Sequence, residues 1–172
     1  MKIMETSRIY VGTYAKYNAG SIAGAWLDLA DYTDKEAFLE ACQALHSDEA
    51  DPEFMYQDWE GIPAGMVSES YLDEAVWEWL ELDEDERATV AAYHDGIDQT
   101  QKDYSTILDA FQGCHDSQLE WAYEYVDSTG LMEGWPEQAK NYFDYEAFAR
   151  DAFMGDVSGC RYNGQLYVFN SY

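Results

Sequence analysis

The chain of 172 residues is 47% hydrophobic and 16% aromatic, enough apolar material to bury a core, which excludes a disordered acidic tail. Its 35 acids against nine bases give a formal net charge of -26, which steers it towards strongly basic partners and excludes nucleic acid and anionic membrane surfaces as targets. No stretch approaches the roughly 18 apolar residues of a membrane span, and the opening Met1–Gly12 lacks a signal peptide's apolar block, so the expected location is cytoplasmic.

In chain order, alternation predicts a strand over Arg8–Tyr14, a turn over Ala15–Gly20 and a strand over Gly24–Leu29, together a hairpin. Asp34 is placed to cap a helix whose Ala37, Phe38, Ala41 and Leu45 share one apolar face. Glu53–Glu60 reads as a third strand before Gly61-Ile62-Pro63 breaks the chain. From Glu69 to Asp127 the pattern is helical, with breaks near Asp83, at His94–Asp98 and at Gln112–Gly113, and Thr129-Gly130 is a stop. Trp135-Pro136 opens a further helical stretch to about Phe153. Asn163-Gly164 then supplies a two-residue turn between strands at Cys160–Tyr162 and Gln165–Phe169.

The charge is not spread evenly. The hundred residues from Asp28 to Asp127 hold 28 acids and three bases (Lys35, Arg87, Lys102), a net of -25, whereas the other 72 hold seven acids and six bases, a net of -1. A chain acidified for salt tolerance alone would carry acids on every exposed face, ends included. Here they gather where the helical pattern is strongest.

At 100° per residue, Glu74, Glu78, Glu81 and Asp85 fall on the side of the first central helix opposite Leu72, Val76, Trp79 and Leu80. A second helix places Asp116, Glu120, Glu124 and Asp127 in one stripe, with Trp121, Ala122, Tyr125 and Val126 facing away. Like charges at i,i+4 each cost roughly 0.2–0.5 kcal/mol, so such stripes stand against a stability penalty. The expected acidic surface comprises Glu69, Asp73, Glu74, Glu78, Glu81, Asp83, Glu84, Asp85, Glu86, Asp95, Asp98, Asp103 and Asp109.

Chemistry-bearing motifs are sparse. Cys42, Cys114 and Cys160 are odd in number and lack CxxC spacing, so reduced, mostly buried thiols are expected. Cys114-His115-Asp116 is the one crowding of nucleophile, base and carboxylate, and it reads as a helix start with Asp116 in the first turn or at the cap. There is no Gly-rich phosphate loop, HExxH or twelve-residue calcium loop, so no catalytic residue, cofactor or metal is expected.

Three stretches together carry a resemblance: Ile9-Tyr10-Val11-Gly12 through Lys16-Tyr17-Asn18 to Gly24-Ala25-Trp26; Tyr56-Gln57-Asp58-Trp59-Glu60-Gly61-Ile62-Pro63; and Asn141 through Asp151, NYFDYEAFARD. In order and spacing the chain resembles the ArdA family of antirestriction proteins over essentially its whole length. The resemblance implies a DNA mimic carried on bacterial mobile genetic elements. Such a protein occupies the DNA-binding groove of type I restriction–modification enzymes, is elongated and bent like B-DNA, and is a homodimer of three small domains. Set on the elements above, this is an α+β chain. An N-terminal small antiparallel sheet with a helix occupies 1–64, a central helical bundle 65–110, and C-terminal helices with a β-hairpin or small sheet 111–172.

By the same resemblance the family's antirestriction motif falls on Cys114–Gly130, with Cys114, Asp116, Glu120, Glu124 and Asp127 in it and the dimer contact nearby. Gly113, His115, Ser117 and Gln118 dilute the charge there relative to the more acidic family pattern. The aromatic anchors Trp26, Tyr56, Trp59, Tyr142, Tyr145 and Phe148 read as core and packing residues. A different class of function, an acidic adaptor for a basic nucleoid or other DNA-binding protein, would use the same charge without imitating DNA's shape.

Overall fold

A computed structural model describes residues 6–101 and 103–171; residues 1–5, Lys102 and Tyr172 lie outside it. The described chain is α+β, with eight helices and two three-stranded antiparallel sheets. It divides into two compact units that meet in sequence between Leu82 and Asp83.

The first unit is built on strands β1 (Arg8–Thr13), β2 (Ala25–Asp28) and β3 (Phe54–Glu60), in the order β2-β1-β3. The turn expected over Ala15–Gly20 is largely a short helix, α1 (Tyr14–Asn18), because the Thr13 hydroxyl accepts from the Lys16 amide and caps it. Helix α2 (Lys35–Leu45) begins as predicted, with the Asp34 carboxylate accepting from the Ala37 amide at 2.9 Å. Phe38 and Cys42 on α2 are fully buried with Ile9, Val11, Leu29 and Tyr56. Burying a side chain such as Phe38 stabilises the fold by about 1.5–3 kcal/mol.

Helix α3 (Ala75–Glu81) starts later than the Glu69 predicted from periodicity. Val67 and Leu72 pair in an isolated bridge and sink into the same core as Val76, so burial of those two side chains sets the backbone before the helix begins.

The second unit holds α4 (Glu84–Gly96), α5 (Tyr104–Ala110), β4 (Phe111–His115), α6 (Gln118–Thr129), α7 (Glu137–Lys140), α8 (Tyr145–Ala152), β5 (Val157–Tyr162) and β6 (Gln165–Asn170). The sheet order is β4-β6-β5. Side chains alternate across β6, so Tyr167 and Phe169 face one way and Leu166 and Val168 the other. Helix α4 covers the first face: Tyr93 meets Phe169 edge-on at 5.1 Å, and the Cys160 thiol donates to the Ala92 carbonyl at 3.1 Å. That approach requires Gly96, since a Cβ there would lie 2.2 Å from Cys160 Cβ. Helices α6 and α8 cover the second face through Trp121, Ala122, Ala149 and Ala152. The β5–β6 turn is the one predicted, with Asn163 and Gly164 both at positive φ (50° and 79°) as a type I′ turn demands.

Three expectations are corrected in this unit. The break at Gln112–Gly113 is a strand, β4, whose partner β6 lies far along the chain and whose alternation is interrupted by a register shift between Phe111 and Gly113. Asp116 is neither the cap nor in the first turn of α6; Ser117 is the cap, accepting from the Glu120 amide at 3.1 Å. The helical stretch after Pro136 is two helices, because Asp144 caps a fresh start at Tyr145.

Candidate acidic interface

Exposure sorts the predicted carboxylates first. Glu69, Glu74, Glu78, Glu81, Asp83, Glu84, Asp85, Asp95, Asp103 and Asp109 are exposed, and Asp73, Glu86 and Asp98 are half-buried. Asp116, Glu120, Glu124 and Asp127 are all exposed. The ion pairs of Arg8, Lys16, Lys140 and Arg150 fall on Glu60, on Asp48 and Glu49, on Glu137 and on Asp151, every one outside these two sets.

The first stripe does not lie on one helix. Glu74 is the residue before α3, Glu78 and Glu81 are on it, and Asp85 belongs to α4, beyond the Leu82-Asp83 break. Periodicity missed this because Asp83 caps α4 with a full capping box. Its side chain accepts from the Glu86 amide at 2.8 Å, and Glu86 accepts from the Asp83 amide at 2.9 Å. In the second stripe, Glu120, Glu124 and Asp127 do share one face of α6, opposite buried Trp121, Ala122 and Val126, while Asp116 sits before the cap.

Several predicted surface acids have local structural roles. Asp73 accepts from the Ala75 amide at 3.0 Å, and Asp98 accepts from both the Thr100 amide and hydroxyl. Asp103 caps α5 through the Thr106 amide and accepts from the Ser105 hydroxyl at 2.8 Å. Hydrogen bonds from Thr100 hold the Asp98 carboxyl below its ordinary range, and those from Ser105 and Thr106 do the same for Asp103. Asp73 and Asp103 thus hold charge at helix starts and Asp98 holds it in the loop between α4 and α5; the remaining acids decorate exposed faces.

The Cys114-His115-Asp116 crowding is not a catalytic constellation. Neighbouring strand residues point to opposite faces: Cys114 pairs across the sheet with Tyr167 and His115 with Leu166. Burial pushes the Cys114 thiol up, away from the reactive thiolate. His115 Nδ1 lies instead 3.1 Å from Glu124 Oε2. Sequence reading missed that contact and the Ser117 cap, although Ser117-Gln118-Leu119-Glu120 carries the spacing of a capping box. The three cysteines are free, with Cys42 buried and its thiol pushed up to about 12 by desolvation.

The aromatic anchors divide. Tyr56 is buried, and Trp26, Tyr145 and Phe148 are half-buried, but Trp59 is 38% exposed and Tyr142, in the bend between α7 and α8, is 83% exposed. The expectation that all six pack inside is therefore wrong for those two. Among the described residues no group of three His, Cys, Asp or Glu side chains is placed to hold a metal ion, and no helix is long and apolar enough to cross a membrane.

Fold and site thus define an acidic α+β protein that presents carboxylates on exposed helical faces and at helix starts. The model of the antirestriction protein (ArdA) family matches residues 9–163, and the chain belongs to that family. Membership implies an antirestriction function and interaction with restriction–modification enzymes. No curated protein matches the chain.

Proposed function

We propose that this protein is a DNA mimic that occupies the DNA-binding groove of a type I restriction–modification enzyme and keeps DNA out. The observation that carries the reading is the exposure of the mid-chain carboxylates in a chain of the ArdA family. Each exposed carboxylate takes the place of a phosphate against Lys and Arg of the groove, releasing counterions on the enzyme side as DNA would. At about one charge per 1.7 Å of duplex, a charge of -26 equals roughly 44 Å of DNA, and a homodimer twice that.

On this reading the work is collective binding, with no catalytic residue, cofactor or metal. The protein acts in the cytoplasm as a homodimer encoded on a mobile genetic element, and the division at 64/65 and 110/111 describes its three mimic segments. The test is displacement of a labelled target duplex from a type I enzyme by the purified protein. Displacement that follows the protein's concentration is expected. DNA binding unimpeded by a protein that still forms complexes with basic DNA-binding proteins would replace this reading with the acidic adaptor.

A further inference from the structure

Beside the C-terminal end of α6 lies a cleft of about 380 Å³ whose lining is divided by chemistry. Val126, Met132 and Tyr145 supply buried or half-buried apolar wall, and exposed Asp127 and Glu133 supply two carboxylates. The volume falls within the roughly 300–1,000 Å³ range of small-ligand sites. Glu133 is held in place by the helix stop. Gly130, at φ 65°, accepts from the Glu133 amide at 2.9 Å, and a Cβ on Gly130 would lie 3.1 Å from the Glu133 carboxylate.

Three further features set the sign of what this cleft takes. Lys140 also lines it, but the Lys140 ammonium is 3.4 Å from Glu137, so that cation has a carboxylate of its own. Asp127 and Glu133 have no cationic partner among the described residues. The last turn of α6 carries no basic residue, so the negative end of its dipole adds to the two carboxylates. Tyr145, tilted against Tyr123 with ring centroids 4.4 Å apart and lining the cleft, offers a π surface beside them.

We propose that this cleft is an anchor for one arginine side chain of the basic partner, deepening the mimic reading on which it rests. The aliphatic stem lies along Val126 and Met132, the guanidinium faces Tyr145, and Asp127 and Glu133 accept its hydrogens. A phosphate-like charge field treats all basic side chains alike, whereas this cleft selects one with a planar, stackable head.

The test titrates the full-length isotope-labelled protein with N-acetyl-arginine amide and with its neutral isostere N-acetyl-citrulline amide, following backbone amide shifts. The arginine probe should give saturable shifts at Val126, Asp127, Gly130 and Glu133, with an at least fivefold weaker response to citrulline. Shifts spread evenly over α3, α4 and α6 would overturn the anchor. In parallel, Asp127→Asn with Glu133→Gln should weaken displacement of DNA from the type I enzyme about tenfold more than the equally charged pair Asp116→Asn with Glu120→Gln. Equal losses would overturn the anchor while leaving the mimic reading standing. Saturable arginine binding by a protein that displaces no DNA would support the cleft and overturn the mimic reading alone.

Discussion

Between them the two units share the charge evenly, but they cover their three-stranded sheets differently. Met1–Leu82 holds 17 acids and four bases and Asp83–Tyr172 holds 18 acids and five bases, a net of -13 in each. In the first unit the sheet carries α2 on one face, and the face bearing Arg8, Tyr10 and Trp26 carries an Arg8–Trp26 stack at 4.5 Å and the Arg8–Glu60 pair at 2.8 Å. In the second, helices cover both faces of the sheet, and most of its acids cap helices or lie along them. Equal charge on unlike folds teaches that the acidity belongs to the surface and not to the packing: each core is apolar, and the carboxylates ride on whatever elements reach solvent.

The harshest way to break this comparison is to reverse charge in one unit at a time. Glu74, Glu78 and Glu81 changed to Lys in the first unit, or Glu120, Glu124 and Asp127 changed to Lys in the second, should each weaken inhibition at least about a hundredfold, because like charges facing a basic groove cost several kcal/mol. Circular dichroism should stay unchanged. Full inhibition by either triple variant would show that its unit does not face the enzyme.

Cutting the cores should affect stability before function. Phe38→Ala in the first unit and Trp121→Ala in the second are each expected to cost about 3–5 kcal/mol in urea unfolding. A loss below about 1 kcal/mol at either position would contradict the core assigned to that unit.

A finer cut separates charge from capping. Asp83→Ala should cost about 1 kcal/mol, while Asp83→Asn should cost little, since Asn also caps well. Both remove one negative charge, so the two variants should inhibit alike when both are folded. A clear difference in inhibition would mean that cap geometry, and not charge, is what the partner reads.

The smallest effect is on pH. Asp98 and Asp103 are held below the unfolded aspartate value of 3.8, so their contribution is complete above that value and is lost as pH falls through their folded values. The variant carrying Asp98→Asn and Asp103→Asn should therefore show a shallower stability loss than the unaltered protein as pH falls below about 4. An identical acid limb in both would remove these hydrogen bonds from the account.

Much of this was legible in the residues where a local rule and the tertiary fold agree. Asp34, Gly130 and Asn163-Gly164 marked the helix start, the helix stop and the hairpin turn, because each satisfies its own backbone groups within a few residues. Strand β4 was hidden because its hydrogen bonds go to β6 and a bulge breaks its alternation. The exposure of Tyr142 was hidden for a different reason: periodicity runs through Asn141–Phe143 as though the helix were continuous, and Asp144 restarts it. The acidic stripe on α6 was readable because one helix carries it, whereas the stripe on Glu74–Asp85 spans two helices and a capping box. The cleft acid Glu133 gave no periodic signal, since it lies in the turn after Gly130.

The central claim is that carboxylates stand in for phosphates, and it is tested most directly by the salt dependence of binding to a type I enzyme. The logarithm of the binding constant should fall linearly with the logarithm of salt concentration, with a slope of the same order as that of the enzyme's own DNA. A slope near zero, with binding intact, would contradict the account.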